Sequence, residues 1–242
     1  MRIKIRKALK SDIESLISIY KKCFPEDLSP QLPFKHKIIS PDTCFVALYD
    51  NQVVAMLSAI PIKYGNDKGH QLFALATDPL YQNLGIATLL FNEVDEILKN
   101  AGSKFSVLIP ATESLYGYYK KQGYTNIPAK TITLMPQEKL HYPFKQIKYP
   151  NKFKTYCLNS AMQNNDEVTY KGNLICGTPK DKEVVVYDYM PNSQGFIINK
   201  SKKTYSFRLP CNSSNEYFGM IKNFDNSFNG ANTSALTPIV IH

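Results

Sequence analysis

The chain has 242 residues, 43% of them apolar, so it is long and apolar enough to bury a sizeable core. Its longest apolar run, residues 53–62, is interrupted and far too short to span a bilayer, so we expect a protein with no membrane contact. The formal net charge of +9 comes mainly from lysines dispersed along the chain, and arginine, the main reader of bases, occurs at only three positions, so nucleic acid is not an expected partner.

The cysteines are odd in number, widely separated and without the paired spacing of a zinc site (Cys23, Cys44, Cys157, Cys176 and Cys211). This distribution predicts reduced thiols, no bound metal and a cytoplasmic protein. The oligomeric state stays open, with a homo-oligomer among the alternatives.

The start of the chain predicts a strand followed by helices. Residues 2–8 alternate apolar and basic side chains, which is typical of a strand with one face in water. Ser11 and Glu14 form a capping-box pattern that predicts a helix ending before Pro25. Prolines divide the following stretch, so residues 34–39 are predicted to form only a short helix.

Three strands are predicted next. Residues 43–49 and 52–64 flank the turn pair Asp50-Asn51, which is typical of a hairpin. A glycine-rich turn then leads into a strand over residues 70–77.

Residues 82–87 read Gln-Asn-Leu-Gly-Ile-Ala and lie between the strand 70–77 and a predicted helix over residues 86–99. The first amides of a helix lack internal partners and point along the positive end of its dipole, so this order predicts a cradle for an anion. Gly85 has no side chain to block a close approach. A phosphate-bearing ligand is therefore the first expectation, and the alternative is an ordinary loop before a helix.

Residues 104–109 are predicted to form a strand, 112–122 a helix that closes at Gly123, and 124–134 another strand. A helix between two neighbouring strands implies a parallel pair. The predicted fold is therefore α/β in the broad sense (α+β), with a mixed, mostly antiparallel sheet flanked by helices.

The rest of the chain predicts a smaller α+β unit. A helix is expected over residues 151–163, and strands over 168–176, 183–189, 196–199, 203–209, 217–222 and 238–241. We therefore expect two domains, 1–134 and 135–242.

Two motifs resemble those of the GCN5-related N-acetyltransferases, or GNAT superfamily. Residues 82–87 are similar to its acetyl-CoA motif, which has Gln or Arg, two residues, Gly, one residue, then Gly or Ala. Residues 119–124, Tyr-Lys-Lys-Gln-Gly-Tyr, resemble the ending of the next helix in the family, Tyr, three residues, Gly, Phe. The resemblance covers residues 2–134, and the fused second unit is similar to acetyltransferases of the enhanced-intracellular-survival type.

The resemblance implies acetyl-CoA as co-substrate and a set of residues that bind it. Leu75, Ala76 and Thr77 are expected to pair their backbone with the pantetheine arm, as an added strand would. The diphosphate is expected at the motif and the first helical turn, formed by Gln82, Asn83, Leu84, Gly85, Ile86, Ala87 and Thr88.

Tyr119 is the predicted catalytic residue. In the family, the tyrosine at this place lies near the coenzyme sulfur, which implies a general acid for the departing thiolate. The alternative is a core aromatic, because other tyrosines crowd the same segment.

The general base has no clear candidate. Some family members supply a glutamate where this chain has Gln71 and Val107, and neither residue can accept a proton at neutral pH. The other candidates are His70, Glu26, Asp27 and Glu113, each with a solvated surface group as the alternative. In the enhanced-intracellular-survival type the terminal carboxylate enters the site, which implies His242 as a further candidate beside the alternative of a frayed end.

The combined interpretation is an acetyl-CoA-dependent N-acetyltransferase that acts on an unknown amine. Residues 25–41 and the C-terminal unit are expected to wall the acceptor site. One alternative is a catalytically silent module that binds and senses acyl-CoA, favoured by the absent glutamate and disfavoured by Tyr119. A structural, partner-binding protein is the third alternative.

Overall fold

The computed structural model describes residues 3–141, 147–148, 150–163, 167–170, 174–180, 183–189, 196–198, 204–211, 216–225 and 228. The predicted strand over residues 238–241 and the candidate base His242 lie outside the described residues. None of the helices within the described ranges combines the length and the apolar character needed to cross a lipid bilayer.

The chain divides into two compact units that alternate along the sequence. The first comprises Met1–Leu108, Tyr149–Tyr156 and Asn223–Asp225. The second comprises Ile109–Lys148, Cys157–Lys222 and Asn226–His242. The boundary at residue 134 stays a prediction.

The first unit contains the strands and helices that were predicted around residues 82–87. In chain order they are β1 (Ile3–Lys7), α1 (Ile13–Cys23), α2 (Leu32–Lys35), β2 (Cys44–Tyr49), β3 (Gln52–Tyr64), β4 (Asp67–Thr77), α3 (Ile86–Asn100) and β5 (Phe105–Leu108).

The strands of the first unit form a mixed, mostly antiparallel sheet in the order β1-β2-β3-β4-β5. The pairs β1–β2, β2–β3 and β3–β4 are antiparallel, whereas β4 and β5 are parallel. Helix α3 connects these two parallel strands, as a crossover helix must. The predicted fold class, α+β with a mixed sheet flanked by helices, is confirmed.

Several elements of the first unit begin at residues other than those predicted. Helix α1 follows a 3-10 turn, and the carboxylate of Asp12, not Ser11, accepts the Leu9 amide at 2.6 Å. Helix α2 begins at Leu32 instead of residue 34, because a proline in the first helical turn loses no hydrogen bond. The hairpin at Asp50 and Asn51 is confirmed, with φ values of 45° and 67° that suit a tight two-residue turn.

The core of the first unit lies on both faces of its sheet. Leu16 and Ile19 of α1 are buried in one cluster with Val46, Met56 and Ala76 from three neighbouring strands. Helix α3 buries its own apolar face, which consists of Ile86, Leu90, Phe91, Val94 and Leu98. Strand β4 is therefore covered on both faces before it reaches the predicted motif.

The second unit is a further α+β assembly. Its elements are α4 (Ser114–Lys121), β6 (Thr125–Leu134), β7 (Lys139–His141), β8 (Ile147–Lys148), α5 (Asn151–Gln163, which begins in the first unit), β9 (Glu167–Tyr170), β10 (Leu174–Lys180), β11 (Glu183–Tyr189), β12 (Phe196–Ile198), β13 (Thr204–Pro210) and β14 (Glu216–Asn223).

Strand β6 lies between β13 and β14 and is antiparallel to both, and β13, β11, β10 and β9 continue the sheet. The single strand predicted over residues 168–176 is wrong: β9 and β10 are two antiparallel strands. Gly172-Asn173, in the middle of this segment, is a turn signal that the prediction did not use. The four cysteines whose side chains are described, Cys23, Cys44, Cys157 and Cys211, are free thiols, as predicted.

Candidate functional site

The connection from β4 to α3 is built from local caps. After β4 ends at Thr77, Asp78 caps a single 3-10 turn, Pro79–Tyr81, by accepting the Leu80 amide on its Oδ1 atom at 3.1 Å. Proline suits the start of such a turn because its φ is fixed and it has no N–H to satisfy. The chain then passes through residues 82–85 into α3.

Two residues of this connection adopt left-handed backbone conformations. Asn83 has a φ of 63°, and Gly85, the N-cap of α3, has a φ of 75°. Asparagine and glycine are the residue types that adopt this conformation most readily. A Cβ added at Gly85 would meet no atom within 4 Å, so the backbone angle, and not a close protein neighbour, is what requires glycine here.

The start of α3 presents open hydrogen-bond donors. The first helical bond runs from the Leu89 amide to the Gly85 carbonyl at 3.0 Å, so the amides of Ile86 and Ala87 precede it. Within the described part of the chain, no side chain caps this end of the helix. The predicted cradle therefore has the N–H groups without an intrahelical partner and the positive dipole end that favour an anion.

Side chains from α1 and from the loop hold the carboxyl end of β4. The Nζ atom of Lys22 lies 2.7 Å from Oδ2 of Asp78, and this hydrogen bond lowers the pKa of the buried Asp78 carboxyl. The Thr77 carbonyl accepts a hydrogen bond from Nε2 of Gln82 at 3.1 Å and another from Sγ of Cys23 at 3.2 Å. Gln82, the first residue of the motif, thus fixes the loop against the strand.

Strand β4 has an open edge in its second half. Among the described residues, its pairing with β5 ends at Gln71 opposite Val107. The following residues of β4, 72–77, pair with β3 on one edge only. Residues 75–77, predicted to bind the pantetheine arm, belong to this open edge, where an extended ligand can add as a further strand.

A β-bulge lies in the same half of β4. The register with β3 shifts between Met56 and Ser58, so that Ala74 and Leu75 oppose a single residue of β3. Ala74 has a φ of 55°, which alanine rarely adopts. A bulge takes local backbone groups out of the ladder, and bulges are common beside active sites.

The hydroxyl of Thr77 has no hydrogen-bond partner among the described residues. Thr77 Oγ1 and Asn126 Oδ1 are the buried side-chain polar atoms that lack a hydrogen bond in the part of the chain that the structure describes. A buried hydroxyl without a partner forfeits a hydrogen bond that water would supply. Thr77 is the last residue of β4, and its hydroxyl is buried in the protein interior, so it is a cost to the folded state.

Tyr119 lies on α4, in the second unit. It is 8% exposed, and its ring centroid lies 5.0 Å from that of Tyr118 and 6.2 Å from that of Tyr124. Burial, with a smaller contribution from Tyr118, raises the pKa of Tyr119. Its hydroxyl therefore stays protonated at neutral pH, although this packing is equally that of a core aromatic. Gly123, with a φ of 86°, ends α4 as predicted.

The strand positions that lack a glutamate are buried. Gln71 and Val107 are partners in the β4–β5 ladder, 3% and 0% exposed. The neighbouring His70 places its Nδ1 atom 3.0 Å from Oγ of Ser103. Burial, with the positive charge of Lys7, lowers the pKa of His70 to about 4. His70 is thus neutral at pH 7, but so low a pKa makes it a weak base.

The acidic candidates differ in their surroundings. Glu26 and Glu113 are exposed. Asp27 is half-buried, and it accepts hydrogen bonds from the Tyr20 hydroxyl and the Ser29 amide, both at 2.8 Å. Asp27 is therefore the candidate whose orientation the fold fixes.

The predicted coenzyme residues, 75–77 and 82–88, come together in one strand–turn–helix segment of the first unit, and Tyr119 belongs to the second unit. Sequence reasoning missed the bulge at Ala74 and the contacts of Lys22 and Cys23 with the carboxyl end of β4. The Asp78-Pro79 pair is a capping signal that the sequence does contain.

Comparison with known proteins places this geometry in a family. Residues 4–127, just over half of the chain, match the family model of the acetyltransferase (GNAT) domain. No curated protein matches the chain in sequence.

Solved structures share the fold. Eis1 from Mycobacterium abscessus superposes with a TM-score of 0.65 at 10% identity, over 96% of this chain and 76% of that one. A GCN5-related N-acetyltransferase from Kribbella flavida has a TM-score of 0.58 at 12% identity, over 93% and 72% of the two chains. Another from Anabaena variabilis has a TM-score of 0.54 at 15% identity, over 93% and 73%. At these identities the likeness concerns the fold.

Proposed function

The chain belongs to the GNAT acetyltransferase family, and from this premise we propose that it transfers the acetyl group of acetyl-CoA to an amine. One observation carries the proposal: the open edge of β4 leads within a few residues to a helix whose Ile86 and Ala87 amides have no hydrogen-bond partner among the described residues. Acetyl-CoA combines an extended pantetheine arm with a diphosphate, and the two features are complementary to these two parts.

We assign the coenzyme to the residues that the family resemblance implies. The backbone of residues 75–77 pairs with the pantetheine arm, and the amides of residues 83–88 bind the diphosphate. Gln82 positions the loop through its hydrogen bond to the Thr77 carbonyl.

The reaction is direct attack of the acceptor on the thioester. The neutral amine forms a bond to the carbonyl carbon, the carbon–sulfur bond breaks, the nitrogen releases a proton and the coenzyme thiolate takes one up. Backbone amides on the open edge of β4 stabilise the developing oxyanion. We assign Tyr119, whose hydroxyl is protonated at neutral pH, as the group that donates a hydrogen bond and then a proton toward the departing sulfur, as the family resemblance implies.

Thiol release from acetyl-CoA tests the proposal. With a panel of amines, the wild type should release coenzyme A, and Tyr119→Phe should lower kcat about a hundredfold while leaving the Kd for acetyl-CoA unchanged. Tyr118→Phe is the matched control, because it removes a hydroxyl from the neighbouring ring of the same helix and should keep kcat. Equal rates for the two variants would remove Tyr119 from the mechanism.

A second candidate is a module that binds acyl-CoA without turnover. The burial of Gln71 and Val107, where relatives with a glutamate would have a base, favours it. Binding of acetyl-CoA with no thiol release from any amine would support this candidate, and absence of binding would exclude both. The proposal includes a cytoplasmic location, where free thiols such as the four described persist.

A further inference from the structure

A group of aromatic side chains surrounds Tyr20 in the first unit. The Tyr20 ring is 4% exposed, and its centroid lies 4.7 Å from that of Phe24 and 5.8 Å from that of Phe34. Tyr156, 1% exposed, contacts Phe73 with ring centroids 6.2 Å apart. Three of these rings, on Phe24, Phe34 and Phe73, are half-buried, so the group offers an apolar surface to solvent instead of closing over itself.

A fixed carboxylate lies at this aromatic group. Helix α1 ends before Pro25, which cannot donate the next helical hydrogen bond, and the chain turns back. Asp27 Oδ2 then accepts the Tyr20 hydroxyl at 2.8 Å, and Asp27 Oδ1 accepts the Ser29 amide at 2.8 Å. Tyr20 also forms a hydrogen bond with the Tyr156 side chain, so the orientation of the carboxylate depends on two buried tyrosines.

This carboxylate has no cationic partner among the described residues. Among the residues that the structure describes, no lysine, arginine or histidine forms an ion pair with Asp27, although Asp12, Asp78 and Asp225 each have one. A half-buried anion gains from a cation that replaces part of its lost hydration. Aromatic faces beside it add cation–π attraction and apolar contact.

The aromatic group borders the bulge of β4. Phe73 is the residue immediately before Ala74, and both pack against the cluster that contains Tyr20. The residues that would present the thioester follow directly along the same strand. A molecule bound against Phe73 and Asp27 would therefore lie on the surface of the first unit, beside the open edge of β4 that is proposed to bind acetyl-CoA.

We propose that Asp27 and the rings of Phe24, Phe34 and Phe73 bind the acceptor, and that the acceptor is an amine with a single positive charge on an aromatic or apolar body. This inference rests on the proposed acetyl transfer and specifies its acceptor. One fixed carboxylate matches one ammonium group, and the surrounding rings match carbon. The bound ammonium group loses one proton to solvent before its neutral nitrogen attacks the thioester. A polycation would need further fixed carboxylates, and Asp27 is the one carboxylate that hydrogen bonds hold against this aromatic group among the described residues.

Steady-state kinetics with chosen amines test the inference. In the wild type, 2-phenylethylamine should have a kcat/KM at least tenfold above that of spermidine or kanamycin. Asp27→Asn should raise the KM for 2-phenylethylamine at least tenfold, as expected for loss of a charge-assisted contact, and leave the KM for acetyl-CoA within twofold. Glu14→Gln is the matched control, because it neutralises an exposed carboxylate of α1 and should change neither constant.

The outcomes separate this inference from the proposed function. If 2-phenylethylamine is acetylated with the same KM by wild type and Asp27→Asn, or if the polycations are preferred, the subsite is wrong and acetyl transfer stands. If no amine releases thiol, calorimetry decides: wild type should bind 2-phenylethylamine and not the neutral 2-phenylethanol, and equal binding or none would overturn the subsite. If Asp27→Asn fails to bind acetyl-CoA and is thus misfolded, the wild type alone decides: a preference for the polycations, or equal binding of 2-phenylethylamine and 2-phenylethanol, would overturn the subsite.

Discussion

Gly85 gives the sharpest test of the diphosphate cradle. Its φ of 75° costs an L-residue about 1 kcal/mol, and a Cβ would meet no atom, so Gly85→Ala introduces backbone strain without a clash. The strain is relieved when φ moves toward negative values, which rotates the peptide that carries the Ile86 amide. Loss of one charge-assisted hydrogen bond to phosphate, about 1.5–3 kcal/mol, should raise the Kd for acetyl-CoA about tenfold to a hundredfold.

Gly102 supplies the matched control. It follows the other end of α3, has a φ of 81°, and a Cβ there would also meet nothing within 4 Å. Gly85→Ala and Gly102→Ala should therefore lose the same stability in urea unfolding, about 1 kcal/mol each, or about 2–4 °C in Tm. Calorimetry with acetyl-CoA should then distinguish them, since only Gly85 precedes the open amides. If both variants bind with the wild-type Kd, the helix start does not hold the diphosphate.

Buried polar groups of the first unit carry the remaining predictions. Thr77→Val removes a buried hydroxyl that has no hydrogen-bond partner among the described residues, so the free energy of unfolding in urea should rise by up to about 1 kcal/mol; a loss of stability would contradict this reading of the hydroxyl. The pKa of His70 is lowered from 6.5 to about 4, so the unfolded chain binds more protons between these values. The free energy of unfolding should therefore fall as pH falls through this range, by up to about 3 kcal/mol. His70→Asn should lose this pH dependence, and parallel profiles of wild type and variant would refute the prediction. Asp78→Ala should lower the free energy of unfolding by about 1 kcal/mol through loss of the turn cap. Lys22→Met, at a half-exposed position, should lower it by less than about 0.5 kcal/mol. Equal losses in the two variants would assign the effect to the ion pair.

The parts of the fold that sequence predicted well depend on local rules. The hairpin at Asp50 and Asn51 follows from two residue types that tolerate positive φ, and α3 follows from its apolar periodicity. The motif at residues 82–87 is likewise local, because a loop glycine and the helix behind it already place the open amides. These features can be predicted without knowledge of distant residues. The resemblance of the two motifs to the family then indicated the fold to which they belong.

Features set by tertiary contacts were not predictable in this way. Ala74 carries no local preference for positive φ, and its bulge arises where β4 pairs with β3 and leaves β5. Residues 168–176 are an exception, because Gly172-Asn173 in their middle is a turn signal from which the reversal between β9 and β10 could have been predicted. Helix α2 begins two residues earlier than predicted because proline is accepted in a first helical turn, as at Pro33, and it ends four residues earlier, at Lys35.

The acceptor side of the site shows why chemistry is harder to predict than architecture. By its spacing on α1, Tyr20 is a core residue, and its ring is indeed buried. Its hydroxyl nevertheless reaches Asp27 only because the chain reverses after Pro25, and it meets Tyr156 only because a segment more than a hundred residues later belongs to the same unit. A periodic pattern assigns a whole residue either to the core or to the surface. A tyrosine, however, has an apolar ring and a polar hydroxyl, which lie in two different environments. The function of such a residue therefore depends on which polar group the fold brings to its hydroxyl, and that information is distributed over the whole unit.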